Sequence, residues 1–227
     1  FIRNTHKIAI FYINPHQEDK ESVLKNTVNS KRFDSFLLGV GWFLDLEKHN
    51  GFLGGLDRVH AKGYKTLYYC SPVNEVIFHI APLMPANEGV DGLISKLRHL
   101  GNDEVHIIWS EHYRPFRQGI INTEFGDVLI VIYPLSNGLF KINIVKKEGI
   151  PLFGPLYDGA IIPFRILSVL IRETAINASN VIRMSHHLFK TAFEDRLNLI
   201  KQLNIKYSSP QSFEQYLNSF ISKINKN

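Results

Sequence analysis

Short apolar runs dominate the first two-thirds of the chain, and they predict strands. Ile8–Ile13 is rich in β-branched and aromatic residues and ends at Asn14-Pro15, which is a turn signal. A run of this length and composition is typical of a buried strand. The same pattern predicts further strands at Lys65–Tyr69, Val76–Ala81, Val105–Trp109, Val128–Tyr133 and Leu139–Val145. A loop containing Asn137-Gly138 separates the last two, so we expect them to form a hairpin.

Helical spacing of apolar residues first appears at residues 30–40. Four residues follow the i, i+3, i+4, i+7 spacing of one helix face: Phe33, Phe36, Leu37 and Val40. Ser30 is placed to cap the start of this helix, because its hydroxyl can accept from a free backbone N–H group. Gly39 and Gly41 are expected to end it, since glycine is a poor helix former.

A second helix is predicted from Asp91 to the residue before Gly101. Asp91 is a favourable N-cap and Gly101 is a plausible C-terminal breaker. Its apolar positions share one face: Ile94, Leu97 and Leu100. Its basic positions fall around the other sides: Lys96, Arg98 and His99. Because charged helix faces are usually solvated, Lys96 and Arg98 are expected at the surface.

The last third of the chain is dominated by helical patterns. Pro163 is placed to start a long helix that runs to about Met184, a second helix covers Leu188–Leu203, and Ser209-Pro210 starts a third. Strands therefore dominate the first two-thirds of the chain and helices the last third, which predicts an α/β (α+β-like) fold with a central mixed β-sheet flanked by helices. We expect one domain over residues 1–227, with a core at about 64–185 and C-terminal helices at about 186–225.

Composition narrows the class of protein. The chain has 227 residues, of which 44% are hydrophobic and 21% are charged, and these proportions exclude a disordered or fibrous chain. The formal net charge of +5 allows an acidic protein partner, while scattered Lys and Arg residues argue against nucleic acid. No stretch approaches the roughly 20 apolar residues of a transmembrane segment. The chain starts at Phe1 without an initiator methionine or signal peptide, so we interpret it as a domain cut from a longer protein.

Common catalytic motifs are missing from the sequence. It lacks the phosphate-binding patterns G-x-x-x-x-G-K-[ST] and G-x-G-x-x-G, and also the G-x-S-x-G elbow of serine hydrolases. Its single cysteine, Cys70, excludes an internal disulfide framework and is consistent with a reducing intracellular compartment. We expect Cys70 to be a buried structural thiol. Three histidines leave a metal-dependent hydrolase as one hypothesis, although no H-E-x-x-H spacing supports it: His99, His106 and His112.

One segment, Lys96–Val105, is hard to explain by packing alone. A basic helix end runs into Gly101-Asn102-Asp103, and a strand follows at once. Taken without its context, Asn102 is a turn residue, because Asn tolerates unusual backbone angles and Asp forms local hydrogen bonds.

The segment closely resembles the signature of the Rap/Ran-GAP domain family, which activates Ras-like small GTPases. The resemblance continues in order through nearly the whole chain: Lys7–Tyr12, Phe36–Trp42, Gly51–Gly55, Val76–Ile80, Met84-Pro85, Leu97–Val105, His106–His112, Thr123–Val128, Phe153–Leu156 and Ala175–Ser179. This breadth makes chance agreement very improbable.

The resemblance implies that Asn102 is the catalytic residue, the asparagine thumb that this family uses in place of an arginine finger. A carboxamide carries a donor and an acceptor at any physiological pH, so it can orient the attacking water in a GTPase site. Asp103 is expected to support the turn that fixes Asn102, or to be a simple turn residue. Lys96 and Arg98 are candidate contacts to the GTPase, and His99 is expected to hold or present the helix.

Two branches of the family compete for the closer match. Arg98–Asp103 is shared with the tuberin branch, which acts on Rheb. Trp109–His112, residues 123–132 and Phe153–Leu156 look more like the catalytic α subunits of Ral GTPase-activating complexes, and we favour that branch. It implies Ral as the partner, a non-catalytic β subunit and a cytoplasmic location.

The same resemblance implies that the chain is not a stand-alone enzyme and has no cofactor of its own, because GTP and Mg²⁺ come with the GTPase. Two alternatives stay open beside Ral activation and the metal hypothesis. The chain could act on Rheb or Rap by the same mechanism, or it could bind a GTPase as a scaffold without catalysis.

Overall fold

The computed structural model describes residues 3–57, 65–84, 90–117, 119–120, 126–186, 189–208 and 211–224. The chain divides into two compact units, Phe1–Phe189 and Lys190–Asn227. The predicted single domain over residues 1–227 stays a prediction.

The first unit contains a sheet between helices. Its strands are β1 (Asn4–Ile13), β2 (Trp42–Asp45), β3 (Lys65–Cys70), β4 (Asn74–Ile80), β5 (Val105–Ser110), β6 (Val128–Pro134), β7 (Leu139–Lys146) and β8 (Ile161–Pro163). Its helices are α1 (Lys20–Leu24), α2 (Lys31–Val40), α3 (Val90–Leu100) and α4 (Phe164–Met184), with a short 3₁₀ turn at Ala81–Leu83.

The sheet is mixed, as predicted. Its strand order over the described residues is β2-β3-β4-β1-β5-β6-β7-β8. The four central strands β4, β1, β5 and β6 are parallel, while the pairs towards both edges are antiparallel. The hairpin of β6 and β7 is confirmed, with Gly138 in its turn at a φ of 81°.

Alternate residues of the central strand β1 belong to two hydrophobic cores, because successive side chains of a strand point to opposite faces. Ile8, Ile10 and Tyr12 pack in the core that includes α2 and α4. Ala9, Phe11 and Ile13 pack in the core that includes α1 and α3. The sheet therefore lies between two helical layers, and its parallel strands are buried on both faces.

Helix α2 begins as predicted but contains one of its expected breakers. The Ser30 hydroxyl accepts from the Phe33 N–H group over 3.2 Å, and Gly41 follows the last helical residue. Gly39 lies inside the helix, where a Cβ atom would come within 2.6 Å of Ser168 on α4. The glycine thus permits close approach of two helices, and the expectation that it ends α2 is wrong.

Two other local expectations also need correction. Asp91 is already helical, so it is not the N-cap of α3, and the preceding residues 85–89 lie outside the described part. Cys70 is the last residue of β3 and is only half-buried, since a strand end near the sheet edge is incompletely covered. In the stretch Ala175–Ser179 of α4, the small residues Ala175, Ala178 and Ser179 are buried.

The second unit contains helices α5 (Ala192–Tyr207) and α6 (Phe213–Ile224). Helix α5 begins later than the predicted Leu188, because Thr191 and Glu194 form a reciprocal capping box. The proposed start of α6 at Ser209-Pro210 lies outside the described residues. None of the helices in the described ranges combines the length and apolar character needed to cross a membrane.

Candidate functional site

Helix α3 brings Asn102 to the surface directly after its last turn. The Gly101 N–H group donates to the Leu97 carbonyl over 2.7 Å, and the Asn102 N–H group donates to the His99 carbonyl over 3.2 Å. These bonds tie the main chain at Asn102 to the helix, while its side chain is exposed. Nothing in the described part of the chain hydrogen-bonds the carboxamide, so its donor and acceptor are available to a partner.

Lys7 of β1 holds the Asn102 turn from behind. Its ammonium donates to the Asn102 main-chain carbonyl over 3.1 Å and lies 3.8 Å from a carboxylate oxygen of Asp103. Sequence reasoning missed this residue as part of the site, although a lysine directly before the apolar run Ile8–Ile13 was a usable signal. One cation therefore contacts both residues of the turn.

Asp103 lies under Asn102 and is fully buried. Its Oδ2 atom lies 2.8 Å from Nδ1 of His79, which is itself buried at the end of β4. A buried carboxylate needs such partners to offset its lost hydration. This geometry matches the expected role of Asp103 in supporting the turn. It also places His79 in the candidate site, where the only sequence signal was a polar residue inside the apolar run Val76–Ile80.

His99 and Arg98 occupy the last turn of α3. The His99 ring is half-buried and lies 5.8 Å from the His79 ring, measured between centroids. Burial lowers the pKa of His99, the nearby His79 adds to this effect, and Asp103 opposes it. A neutral imidazole packed here fits the expected role of holding the helix. Arg98 is exposed, as predicted.

Lys96 does not lie on the surface of α3. Its side chain is 1% exposed, and its ammonium donates to the carbonyls of Leu24 and Ala81 over 3.0 and 3.1 Å. Burial lowers the pKa of Lys96. The expectation of a surface lysine contacting a GTPase is therefore wrong in its geometry. The buried side chain instead links α3 to α1 and to the 3₁₀ turn that follows β4.

The distinctive block Trp109–His112 contains a structural junction. The Glu111 carboxylate accepts from the hydroxyls of Ser30 and Tyr12, over 2.5 and 2.9 Å, and from the Trp109 indole over 3.0 Å. It thereby joins the N-terminus of α2 to strands β1 and β5. The motif at Thr123–Asp127 lies largely outside the described residues, and its last member, Asp127, pairs with Lys147 over 2.6 Å.

The three histidines of the metal hypothesis do not form a site. His106 is buried in β5, where its ring centroid lies 5.4 Å from that of Phe11. His99 precedes this strand and His112 follows it, so these two histidines belong to opposite ends of the strand. Burial lowers the pKa of His106. Over the described ranges, no group of three His, Cys, Asp or Glu side chains is placed to hold a metal ion.

Comparisons with known proteins identify the family of the chain. The family model described as Rap/ran-GAP matches residues 23–202. Ral GTPase-activating protein subunit alpha-1 of Homo sapiens is 48% identical over 94% of this chain, and a probable Rho GTPase-activating protein of Drosophila melanogaster is 45% identical over 94%. The chain spans only 10% and 11% of the length of these two relatives.

A solved structure, that of the TSC2 GAP domain, shares the fold. It aligns with a TM-score of 0.71 and 31% sequence identity, covering 78% of this chain and 96% of that domain. The family model covers well over half of the chain, and the solved relative aligns over almost its full length. The chain therefore belongs to the Rap/Ran-GAP family.

Proposed function

We propose that this chain stimulates GTP hydrolysis by a Ras-like small GTPase, and that the GTPase is Ral. Ral is proposed because the human relative, which is 48% identical over 94% of the chain, is named as a Ral GTPase-activating protein subunit. The solved TSC2 GAP domain, at 31% identity, is a more distant match. Rheb and Rap are the alternatives to test, with Rho added because of the Drosophila relative's name.

The observation that carries the mechanism is the exposed carboxamide of Asn102 on a turn held by Lys7 and the buried Asp103. Phosphoryl transfer depends on positioning and electrostatic stabilisation, and a small GTPase needs its attacking water held in line with the γ-phosphate. Asn102 supplies a donor and an acceptor for that water, while Lys7 and Asp103 fix the backbone beneath it. Preorganisation of this kind avoids reordering the catalytic group during the reaction.

On this proposal the catalytic site is shared between two proteins. The GTPase contributes GTP and Mg²⁺, and this chain contributes Asn102 and a docking surface that includes Arg98. His99 holds the last turn of α3 in position. A non-catalytic β subunit and a cytoplasmic location belong to the same proposal.

The test is single-turnover GTP hydrolysis by Ral, Rheb, Rap and Rho, each with the wild-type chain and with two Asn102 variants. Asn102→Ala removes the carboxamide, and Asn102→Asp places a negative charge beside the phosphates, where it is repelled. Both are expected to reduce stimulation by about two orders of magnitude, the loss typical of one preorganised catalytic group. Asn204→Ala, on the exposed surface of α5, is the matched control.

Acceleration of Ral hydrolysis that both Asn102 variants lose would support the whole proposal. Acceleration of another GTPase would replace the partner and keep the mechanism. Wild-type activity in either Asn102 variant would refute the role of Asn102. Binding of a GTPase without acceleration, with and without a β subunit, would favour the scaffold function instead.

A further inference from the structure

A cleft of about 330 Å³ opens where strands β1 and β5 end. Ile13, the last residue of β1, and Ser110, the last residue of β5, both line it. After β1 the chain continues to strands on one side of this pair, and after β5 it continues to β6 on the other side. Parallel strands whose following connections diverge in this way form the crevice in which open α/β sheets bind ligands.

Two buried polar atoms that line the cleft have no protein partner. Ser110 is 2% exposed and His112 has a side chain 8% exposed, and neither the Ser110 hydroxyl nor Nε2 of His112 has a hydrogen-bond partner among the described residues. Nδ1 of His112 accepts from the Arg114 N–H group over 2.9 Å, so the proton of the neutral ring is on Nε2. Nε2 of His112 is therefore a donor, and the Ser110 hydroxyl can donate as well as accept. Buried donors are normally paired.

Charged side chains at the same cleft favour an anion. Arg114 and Arg117 line it, and both lie near the Glu18 carboxylate, at 3.3 and 3.9 Å. Nε2 of His112 is 3.7 Å from Glu18, beyond hydrogen-bond distance. A single carboxylate thus faces two guanidinium groups, which leaves net positive charge beside the two free donors. Ile13 and Phe116 provide apolar surface in the remainder of the cleft.

We propose that this cleft binds a small organic anion whose carboxylate or phosphate oxygens accept hydrogen bonds from Ser110 and His112. The apolar part of the ligand covers Ile13 and Phe116, and the two arginines neutralise its charge. A cleft of this volume is of the size that holds small ligands. The site is separate from Asn102, because the Asn102 turn precedes β5 and the cleft follows it, roughly 20 Å away along the strand.

The test is a titration of the ¹⁵N-labelled chain followed by amide chemical shifts. Phenyl phosphate and benzoate carry a phosphate and a carboxylate group, respectively, on a benzene ring. Benzyl alcohol is the neutral control, and inorganic phosphate tests binding of the anionic group without an apolar part. At least one of the two aromatic anions is expected to give saturable shifts at residues 13–18 and 110–117, with benzyl alcohol at least tenfold weaker. Whichever anion binds more tightly identifies the head group.

Two variants link any binding to the proposed donors. Ser110→Ala removes the hydroxyl and is expected to lower the affinity for the anion about threefold to tenfold, the contribution of one hydrogen bond. It is also expected to fold, because it removes an unpaired buried group. His112→Phe removes the second donor independently, and Ser185→Ala, an exposed serine on α4's C-terminal boundary, is the control.

Loss of affinity in both cleft variants, with wild-type affinity in Ser185→Ala, would support the site. Three results would overturn it: no saturable shifts with either aromatic anion, equal binding of benzyl alcohol, or unchanged affinity in Ser110→Ala and His112→Phe. GTP hydrolysis by a partner GTPase is not a readout of this experiment, so its outcome is independent of the proposed function.

Discussion

The Lys7 ammonium donates a hydrogen bond of 3.1 Å to the main-chain carbonyl of Asn102, from a strand 95 positions earlier in the sequence. This bond fixes the backbone of the residue that we propose as catalytic, without occupying its side chain. Lys7→Met keeps most of the side-chain length but removes the donor. We expect stimulation of GTP hydrolysis to fall about tenfold, the equivalent of one hydrogen bond of roughly 1.4 kcal/mol lost in positioning.

Lys48→Met is the control for this prediction, because the Lys48 side chain is 83% exposed and its ion-pair partner is Asp45 of the edge strand β2. Urea unfolding of both variants separates positioning from stability. Full stimulation by Lys7→Met would show that the bond to Asn102 has no catalytic consequence.

Asp103 is expected to matter chiefly for the stability of the turn. Asp103→Ala leaves His79 without its partner 2.8 Å away and Lys7 without its carboxylate, so we expect a loss of about 3 kcal/mol in the free energy of unfolding. Asp103→Asn keeps an acceptor for His79 and should lose about half as much. Asp195→Asn, an exposed carboxylate on α5, should be close to neutral, and equal losses in all three variants would contradict this account.

Lys96 gives a direct test between a structural role and contact with a GTPase. Lys96→Ala removes both bonds to buried carbonyls and leaves a cavity, so we expect a loss of about 3 kcal/mol in stability by urea unfolding. Lys96→Met refills much of the volume and should lose less. A surface contact would give the opposite pattern, with unchanged stability and weaker GTPase binding. Lys201→Ala, on the exposed surface of α5, is the control and should leave the free energy of unfolding nearly unchanged.

Most strands and helices of the first unit could be predicted because they depend on local patterns. The exceptions are α1, β2 and β8, which are only three to five residues long and give too short a pattern to detect. Ile8–Ile13 and Val128–Tyr133 are apolar runs too short for helices, and Phe33, Phe36 and Leu37 repeat at helical spacing. Gly39 was misplaced because its role comes from Ser168, which lies on another helix far along the chain. Local propensity contains no information on such a contact.

The candidate site shows the same limit. Asn102 was predicted through the resemblance of its surrounding motif, and its exposure agrees with a role towards a partner. The partners that hold its turn, Lys7 and His79, come from two other strands, and only the fold brings them together. Lys96 was predicted at the surface because basic residues of a helix are usually exposed to solvent. It is buried because its ammonium donates to two main-chain carbonyls, which the sequence pattern could not show.

Glu111 is expected to stabilise the fold through the three hydrogen bonds that its carboxylate accepts. In Glu111→Gln one oxygen becomes an NH₂ group, which cannot accept from Ser30, Tyr12 or Trp109, so at least one donor loses its partner. We expect the free energy of unfolding to fall by about 2 kcal/mol, measured by urea titration. Glu47→Gln on the exposed surface should change it by much less, and equal effects of the two substitutions would refute the junction.

The buried ring of His6 is expected to make the free energy of unfolding depend on pH. Its ring is fully buried between Ser179, 3.0 Å from Nδ1, and Asn74, 3.3 Å from Nε2. Burial, with the nearby charge of Arg183, lowers the pKa of His6 from 6.5 to about 4. Between these values the unfolded chain binds a proton that the folded chain does not, so stability is complete above pH 6.5 and is lost as the pH falls towards 4.

The expected loss attributable to His6 between pH 7 and pH 5 is about 2 kcal/mol in the free energy of unfolding. Burial lowers the pKa of His99 and His106 as well, so the whole chain should lose more than this. His6→Gln, measured by urea unfolding at both pH values, should reduce the loss by about 2 kcal/mol because a neutral amide does not titrate. His186→Gln, at an exposed position, should leave it unchanged. An identical pH dependence in His6→Gln and the wild-type chain would mean that His6 does not stay neutral in the fold at pH 5.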